Sequence, residues 1–228
     1  MELAAVAFKL SLVGSLLILD RTHAFQFMVS RPMVTAPLIG LLAGNLPVGL
    51  LMGAMVELLW IHRIPLGTDI TPDDTTLAVL VASVGALNFQ EENAGKFAPW
   101  MFGFLLFLPA AYISPRVELM LRKFNNRLWH GAYEAIQRGR LEKVAVFHWA
   151  GAALAFLNSF ISLFVWLVIG LHIIRVAYPL VPHSIRVALD ITAWFMPAVG
   201  VASALSTAPK RRALVLFSLT FVMLILLS

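Results

Sequence analysis

The stretch from Met33 to Asp74 limits the fold more than any other part of the chain. It starts as apolar helix and ends in a polar, proline-broken turn crowded with carboxylates. Gly40 and Gly44 form one GxxxG pattern, and Gly49 and Gly53 form another. Glu57 follows Gly53 by one helical turn, so Gly49, Gly53 and Glu57 share one face. A glycine face lets a neighbouring backbone approach closely. A carboxylate at the end of that face, inside an apolar run, needs a partner or water. Pro65, Gly67, Asp69, Pro72, Asp73 and Asp74 then interrupt the helix where the acids gather. Irregular backbone at membrane depth is tolerated where it is buried in protein or lines an aqueous cavity. The stretch therefore predicts a polar substrate site inside a membrane protein.

Composition puts the whole chain in that class. Of the 228 residues, 60% are hydrophobic and 13% charged, against about 25% charged in soluble domains. The apolar runs are long and continuous, which predicts helices and excludes the alternating pattern of a β-barrel. The net charge of +5 sits in loops beside apolar spans. There it orients a membrane protein and does not point to nucleic acid. The lack of cysteine removes disulfides and thiolate chemistry. Glu2 stands where a signal peptide carries basic residues, and Lys9 interrupts the first apolar run, so no cleavable signal is expected.

In chain order, residues 3–19 read as a first apolar helix, followed by a polar connection holding Asp20, Arg21, His23, Gln26 and Arg31. Asp20 and Arg31 are expected to pair across it. Residues 33–44 and 46–62 are each shorter than a full span of about 20 residues. Paired short segments broken by Gly or Pro are a pointer to a transporter site. Residues 75–88 form another short helix, with Asp74 or Thr75 as a cap. Residues 97–113 form a span ending near Pro115. The tract 114–143 then carries seven Lys or Arg against three Glu, with apolar residues at helical spacing. It reads as an amphipathic surface helix on the cytoplasmic side. A helix over 144–175 would be about 48 Å long and must tilt or bend. Residues 185–207 and 213–227 close the chain, with Lys210-Arg211-Arg212 as a second cytoplasmic anchor. Asp190 is expected to pair with Arg186. The expected fold is an all-α, polytopic integral membrane protein with short broken or re-entrant helices and one amphipathic surface helix. It is read as a single membrane-embedded domain over 1–228. That domain has a site-bearing half (1–113), a cytoplasmic arm (114–143) and a second membrane half (144–228).

An ordered set of residues carries a family resemblance. It comprises Leu19-Asp20, Phe25-Gln26-Phe27, Arg31-Pro32, Gly40, Gly44-Asn45, Gly49, Gly53, Glu57, Gly67 and Pro72-Asp73. Together they resemble the IIC membrane component of the mannose/fructose/sorbose family of bacterial sugar phosphotransferase systems. The resemblance holds in order and spacing over roughly residues 15–80, and the remainder is similar in layout. It implies a multi-pass permease subunit of the bacterial inner membrane that pairs with a IID subunit. It further implies a trimer of IIC–IID pairs. Cytoplasmic IIA and IIB phosphocarriers phosphorylate the hexose as it is released inside. The IIC chain itself carries no phospho-residue, no cofactor and no enzymatic activity of its own. Several features depart from the family: Pro65 replaces a frequent Asn, Asp69 and Asp74 stand where small apolar residues are common, His62-Arg63 is an unusual charged pair, and additional residues stand between Asp20 and Phe25.

A sugar offers hydroxyls, and an ionised carboxylate accepts them strongly. Glu57 and Asp73 are the first candidates to bind substrate. Glu57 alternatively forms an ion pair with His62 or Arg63, and Asp73 alternatively caps the helix that follows. Gln26 both donates and accepts, and either meets the sugar or satisfies its own turn. Asp69 completes the candidate set, although Asp69 and Asp74 also read as solvated loop acids. The histidines lack metal-ligand spacing, so no metal is expected. The tryptophans read as interfacial anchors before stacking platforms. Two other functions compete. One is an ion-coupled secondary transporter acting without phosphate relay, with Asp69, Asp73 and Asp74 carrying ions. The other is an intramembrane aspartyl hydrolase, disfavoured because no second acidic motif lies on a distant span.

Overall fold

A computed structural model describes residues 2–24, 26–61, 71–88, 97–206 and 210–227. Their regular structure is helical: α1 (Glu2–Thr22), α2 (Pro32–Leu42), α3 (Leu46–Trp60), α4 (Asp74–Leu87), α5 (Ala98–Gln137), α6 (Glu142–Ala177), α7 (His183–Leu205) and α8 (Lys210–Leu227). A 3-10 turn, Tyr178–Leu180, follows α6. Among the described residues, four stretches are long and apolar enough to cross a membrane: 3–22, 98–137, 142–180 and 183–205. The all-α polytopic membrane fold expected from the sequence is the one found.

Helices α2 and α3 are too short to span, with 11 and 15 residues, or about 16 and 22 Å against roughly 30 Å of hydrocarbon. They form a re-entrant hairpin. The glycine face works as the sequence suggests. A Cβ on Gly49 would lie 2.5 Å from the Ala36 carbonyl oxygen, and one on Gly53 would lie 2.6 Å from that of Pro32. Gly44 does something else. It sits at the hairpin tip with φ +87° and open space around it, so it makes the turn and no helix contact. Asn45 caps α3 by accepting from the Val48 N–H.

Helix α4 is the central post. Every residue from Thr75 to Ala86 is buried, and α4 packs against α1, α2, α3, α5 and α6. Burial on all sides explains why its sequence has no polar face. Around it, α1 packs against α6, with Phe8 edge-on to Phe160. Across α5 and α6, the Phe107 ring fills the space where Gly170 would carry a Cβ.

The expected span over 97–113 and the greater part of the amphipathic helix expected over 114–143 are one continuous helix, which ends at Gln137. Helix α5 runs 40 residues through Pro109 and Pro115. Each proline removes one intrahelical bond, and surrounding protein can satisfy the carbonyl set free. The second half of α5 and the first turns of α6 form a basic arm beyond the bundle. Two other expectations change. Asp190 accepts from the Ala98 N–H at 2.5 Å and so pins α7 to the start of α5. Arg186 instead donates to the carbonyls of Val181 (2.9 Å) and Pro179 (2.7 Å), closing the turn before α7.

Candidate substrate site

The last turn of α1, the first residues before α2, the last turn of α3 and the first turn of α4 meet at one end of the bundle. Between them lies a cavity of about 390 Å³. Helix ends expose unpaired backbone groups and carry partial charge. Their convergence therefore makes a polar hollow beside an apolar core.

Arg21, on the last turn of α1, organises one wall. Its guanidinium donates to Asp73 Oδ1 at 2.5 Å, and to Thr71 Oγ1 and the Pro72 carbonyl at 3.0 Å each. Asp73 is buried and its carboxylate is fully engaged. Besides Arg21 it accepts from the Thr76 N–H (2.9 Å), the Thr76 hydroxyl (2.6 Å) and the Ser114 hydroxyl (2.5 Å). It caps α4 and anchors Arg21 at once. The backbone of Asp73 is held too: its N–H donates to the Ala111 carbonyl at 2.7 Å. That carbonyl is the one Pro115, four residues on, cannot bond. The proline inside α5 thus releases an acceptor for the loop that carries the site.

Arg31, just before α2, bonds the Glu57 carboxylate at the end of α3 and so closes the mouth of the hairpin. Asp20 is buried and accepts the backbone N–H groups of Phe27 (2.7 Å) and Ser30 (3.1 Å). It shapes the loop between α1 and α2, in which Gln26 and Met28 take positive φ of 58° and 63°. Non-glycine residues there carry a strain of about 1–2 kcal/mol. The two bonds to Asp20 hold the loop around them.

Asp20, Arg21, Gln26, Arg31, Trp60 and Asp74 all line the cavity. The walls thus offer guanidinium and amide donors, carboxylate acceptors and one aromatic ring. Trp60 is buried, edge-on to Tyr112 at 6.2 Å between ring centres. Asp74 lies 3.6 Å from Arg21 and accepts the Thr75 N–H at 2.9 Å. Among the described residues, no three His, Asp or Glu side chains gather in a way that could hold a metal ion.

Residues 4–228 match the family described as the PTS system sorbose-specific IIC component. The chain belongs to this IIC family.

Two curated IIC relatives show how far the similarity extends. The sorbose-specific EIIC component of Klebsiella pneumoniae is 23% identical over 79% of this chain and 65% of its own length. The mannose-specific EIIC component of Escherichia coli is 20% identical over 78% of this chain and 64% of its own length. The match therefore spans slightly less than two thirds of these relatives. Two solved structures share the IIC fold. A structure described as a membrane protein superposes with a TM-score of 0.71 over 97% of this chain and 85% of its own. The mannose transporter ManYZ, solved with a microcin, superposes with a TM-score of 0.59 over 96% of this chain and 84% of the other. Both are 19% identical in sequence.

In this IIC chain the sequence candidates divide. Gln26 faces the cavity. Glu57 and Asp73 stand behind it, each holding an arginine that lines it. Asp69 and the alternative Glu57 partners His62 and Arg63 lie outside the described residues. The expected Asp20–Arg31 pair does not form: Asp20 holds loop backbone, and Arg31 takes Glu57. Asp74, read as a solvated loop acid, is in the cavity wall, and so is Trp60, read as an interfacial anchor. Arg21 was missed. One sequence signal was available for it, a cation at the end of an apolar span with acids elsewhere to meet.

Proposed function

We propose that this chain is the sugar-translocating IIC subunit of a phosphoenolpyruvate-dependent mannose-type phosphotransferase system in the bacterial inner membrane. A hexose occupies the cavity at the convergence of α1, α2, α3 and α4. A IID membrane partner completes the pathway, IIC–IID pairs assemble as a trimer, and IIB, recharged by IIA, phosphorylates the sugar on the inner side. The chain contributes binding and passage, and its partners contribute the phosphoryl chemistry.

The cavity carries this reading. It holds donors and acceptors together at the buried ends of short helices, which suits a neutral polyol edged with hydroxyls. Gln26 and Asp74 would meet those hydroxyls directly. Asp73 and Glu57 act through Arg21 and Arg31, as positioning residues. Asp69 remains part of the proposed substrate set on the sequence alone.

The test is uptake of radiolabelled hexose into vesicles containing the chain with its IID partner. Uptake is expected to require phosphoenolpyruvate and the soluble phosphocarriers and to survive an uncoupler. Glu57→Gln is expected to abolish uptake while the complex still assembles, because Arg31 loses its charged partner. Uptake that collapses with the uncoupler and ignores phosphoenolpyruvate would replace this reading with ion-coupled transport.

A further inference from the structure

A second cavity, of about 370 Å³, opens where the basic arm leaves the bundle. Its walls include Thr22 and His23 at the end of α1, Asn125 and Trp129 on the arm half of α5, and Phe147 and His148 on α6. The rest of the wall is aliphatic or glycine. The size falls within the range of small-ligand pockets, about 300–1,000 Å³. Nothing in the transport site uses these residues.

One atom in this wall is out of balance. Asn125 Oδ1 is buried, and it accepts no hydrogen bond from the described residues. Buried acceptors are almost always paired, so an exception calls for a donor from outside the chain.

The surroundings specify that donor's chemistry. The tract 114–143 carries seven Lys or Arg against three Glu. Two of the glutamates are already neutralised, Glu118 by Arg122 at 2.6 Å and Glu134 by Arg138 at 3.1 Å. The arm that carries the cleft therefore has an excess of positive charge, which attracts an anion. Trp129, Tyr133 and Trp149 stand 60%, 51% and 67% exposed along the same arm. Aromatic side chains so displayed sit at the headgroup level of a bilayer. The ligand must therefore be anionic, carry a hydrogen-bond donor, present an apolar part and reside at the membrane interface.

We propose that the cleft binds the headgroup region of a hydroxyl-bearing anionic phospholipid, a phosphatidylglycerol. A glycerol hydroxyl donates to Asn125 Oδ1, the phosphate lies among the arm's cations, and the ester region rests against Trp129 and Phe147. Seated there, the lipid braces the end of α1 against the arm.

The probe pair that decides this is phosphatidylglycerol against phosphatidylmethanol, which has the same charge and acyl chains but no headgroup hydroxyl. The purified full-length protein is loaded with each lipid, washed with detergent and weighed by native mass spectrometry. One phosphatidylglycerol is expected to be retained about tenfold better than phosphatidylmethanol. Asn125→Leu is expected to erase that preference, and Asn126→Leu, one position around the helix, to leave it intact. Equal retention of the two lipids by the unaltered protein would overturn the proposal and reduce the arm to a diffuse basic surface. The lipid comparison needs no variant, so a misfolded Asn125→Leu protein leaves it standing. A preference that persists in a folded Asn125→Leu protein would also overturn it. So would a zero-length cross-link between arms of two copies that excludes both lipids, since the occupant would then be a second copy.

Discussion

At the scale of single residues, Arg21 and Asp73 form the joint of the candidate site. Their side chains are 13% and 5% exposed, and each also bonds backbone of the loop or helix it supports. Removing one partner of a buried pair leaves an uncompensated charge and costs about 3–5 kcal/mol. Asp73→Ala is therefore expected to lower the thermal unfolding midpoint of the detergent-purified protein sharply. The Arg21→Ala, Asp73→Ala double variant should lose much less than the sum of the singles, which a double-mutant cycle will show. Gln26 is different in kind. It lines the cavity on a loop held by Asp20, and a neutral hydrogen bond is worth about 0.5–1.5 kcal/mol. Gln26→Ala should leave the unfolding midpoint in place and raise the KM for hexose uptake by roughly threefold to tenfold. An unchanged KM would remove Gln26 from the sugar's contacts.

At the scale of elements, broken and crowded helices do the positioning. Pro115 leaves the Ala111 carbonyl without its intrahelical donor, and the Asp73 N–H takes that place. Pro115→Ala restores a competing donor. It is expected to loosen the start of α4, measured as faster hydrogen exchange at residues 73–77, while α5 itself becomes better protected. The hairpin glycines make a paired prediction. Gly49→Ala would force a methyl against the Ala36 carbonyl at 2.5 Å and should cost roughly 2 kcal/mol or more. Gly44→Ala meets nothing within 4 Å but must hold φ near +87°, so its cost should be about 1 kcal/mol. Equal effects in the two variants would mean that the hairpin is not packed through its glycine face.

At the scale of the whole molecule, charge decides orientation. Helices α5 and α7 run in the same direction, because Ala98 meets Asp190 at one end while Tyr112 and Gly200 meet Trp60 and Leu58 of α3 at the other. The basic arm and Lys210-Arg211-Arg212 consequently leave the bundle at the same end, as the positive-inside rule requires of one cytoplasmic face. The sequence contains no cysteine, so single introduced cysteines report cleanly. In intact cells, His183→Cys should react with an impermeant maleimide, and Arg140→Cys should react only after the membrane is opened. The reverse pattern would invert the orientation.

Much of this was legible in the chain itself. Apolar runs, GxxxG spacing and the clustering of Lys and Arg are local or periodic features. They specify helices, one tight hairpin and a basic arm, whatever their neighbours are, and the ordered residues from Leu19 to Asp73 resembled the right family. Which acid faces the cavity was not legible, because a carboxylate in an apolar sequence needs a partner and the partner is remote. Asp73 finds Arg21 from 52 positions away, Glu57 finds Arg31 from 26, and Asp190 finds the backbone of Ala98 from 92. Asp73 and Glu57 are thereby drawn into the framework, and Asp74 and Trp60 are left to face the hollow. Sequence determined the elements, because backbone hydrogen bonds must be satisfied within each segment in lipid. Only the packed bundle decided the site, because long-range pairing assigns each buried charge its partner.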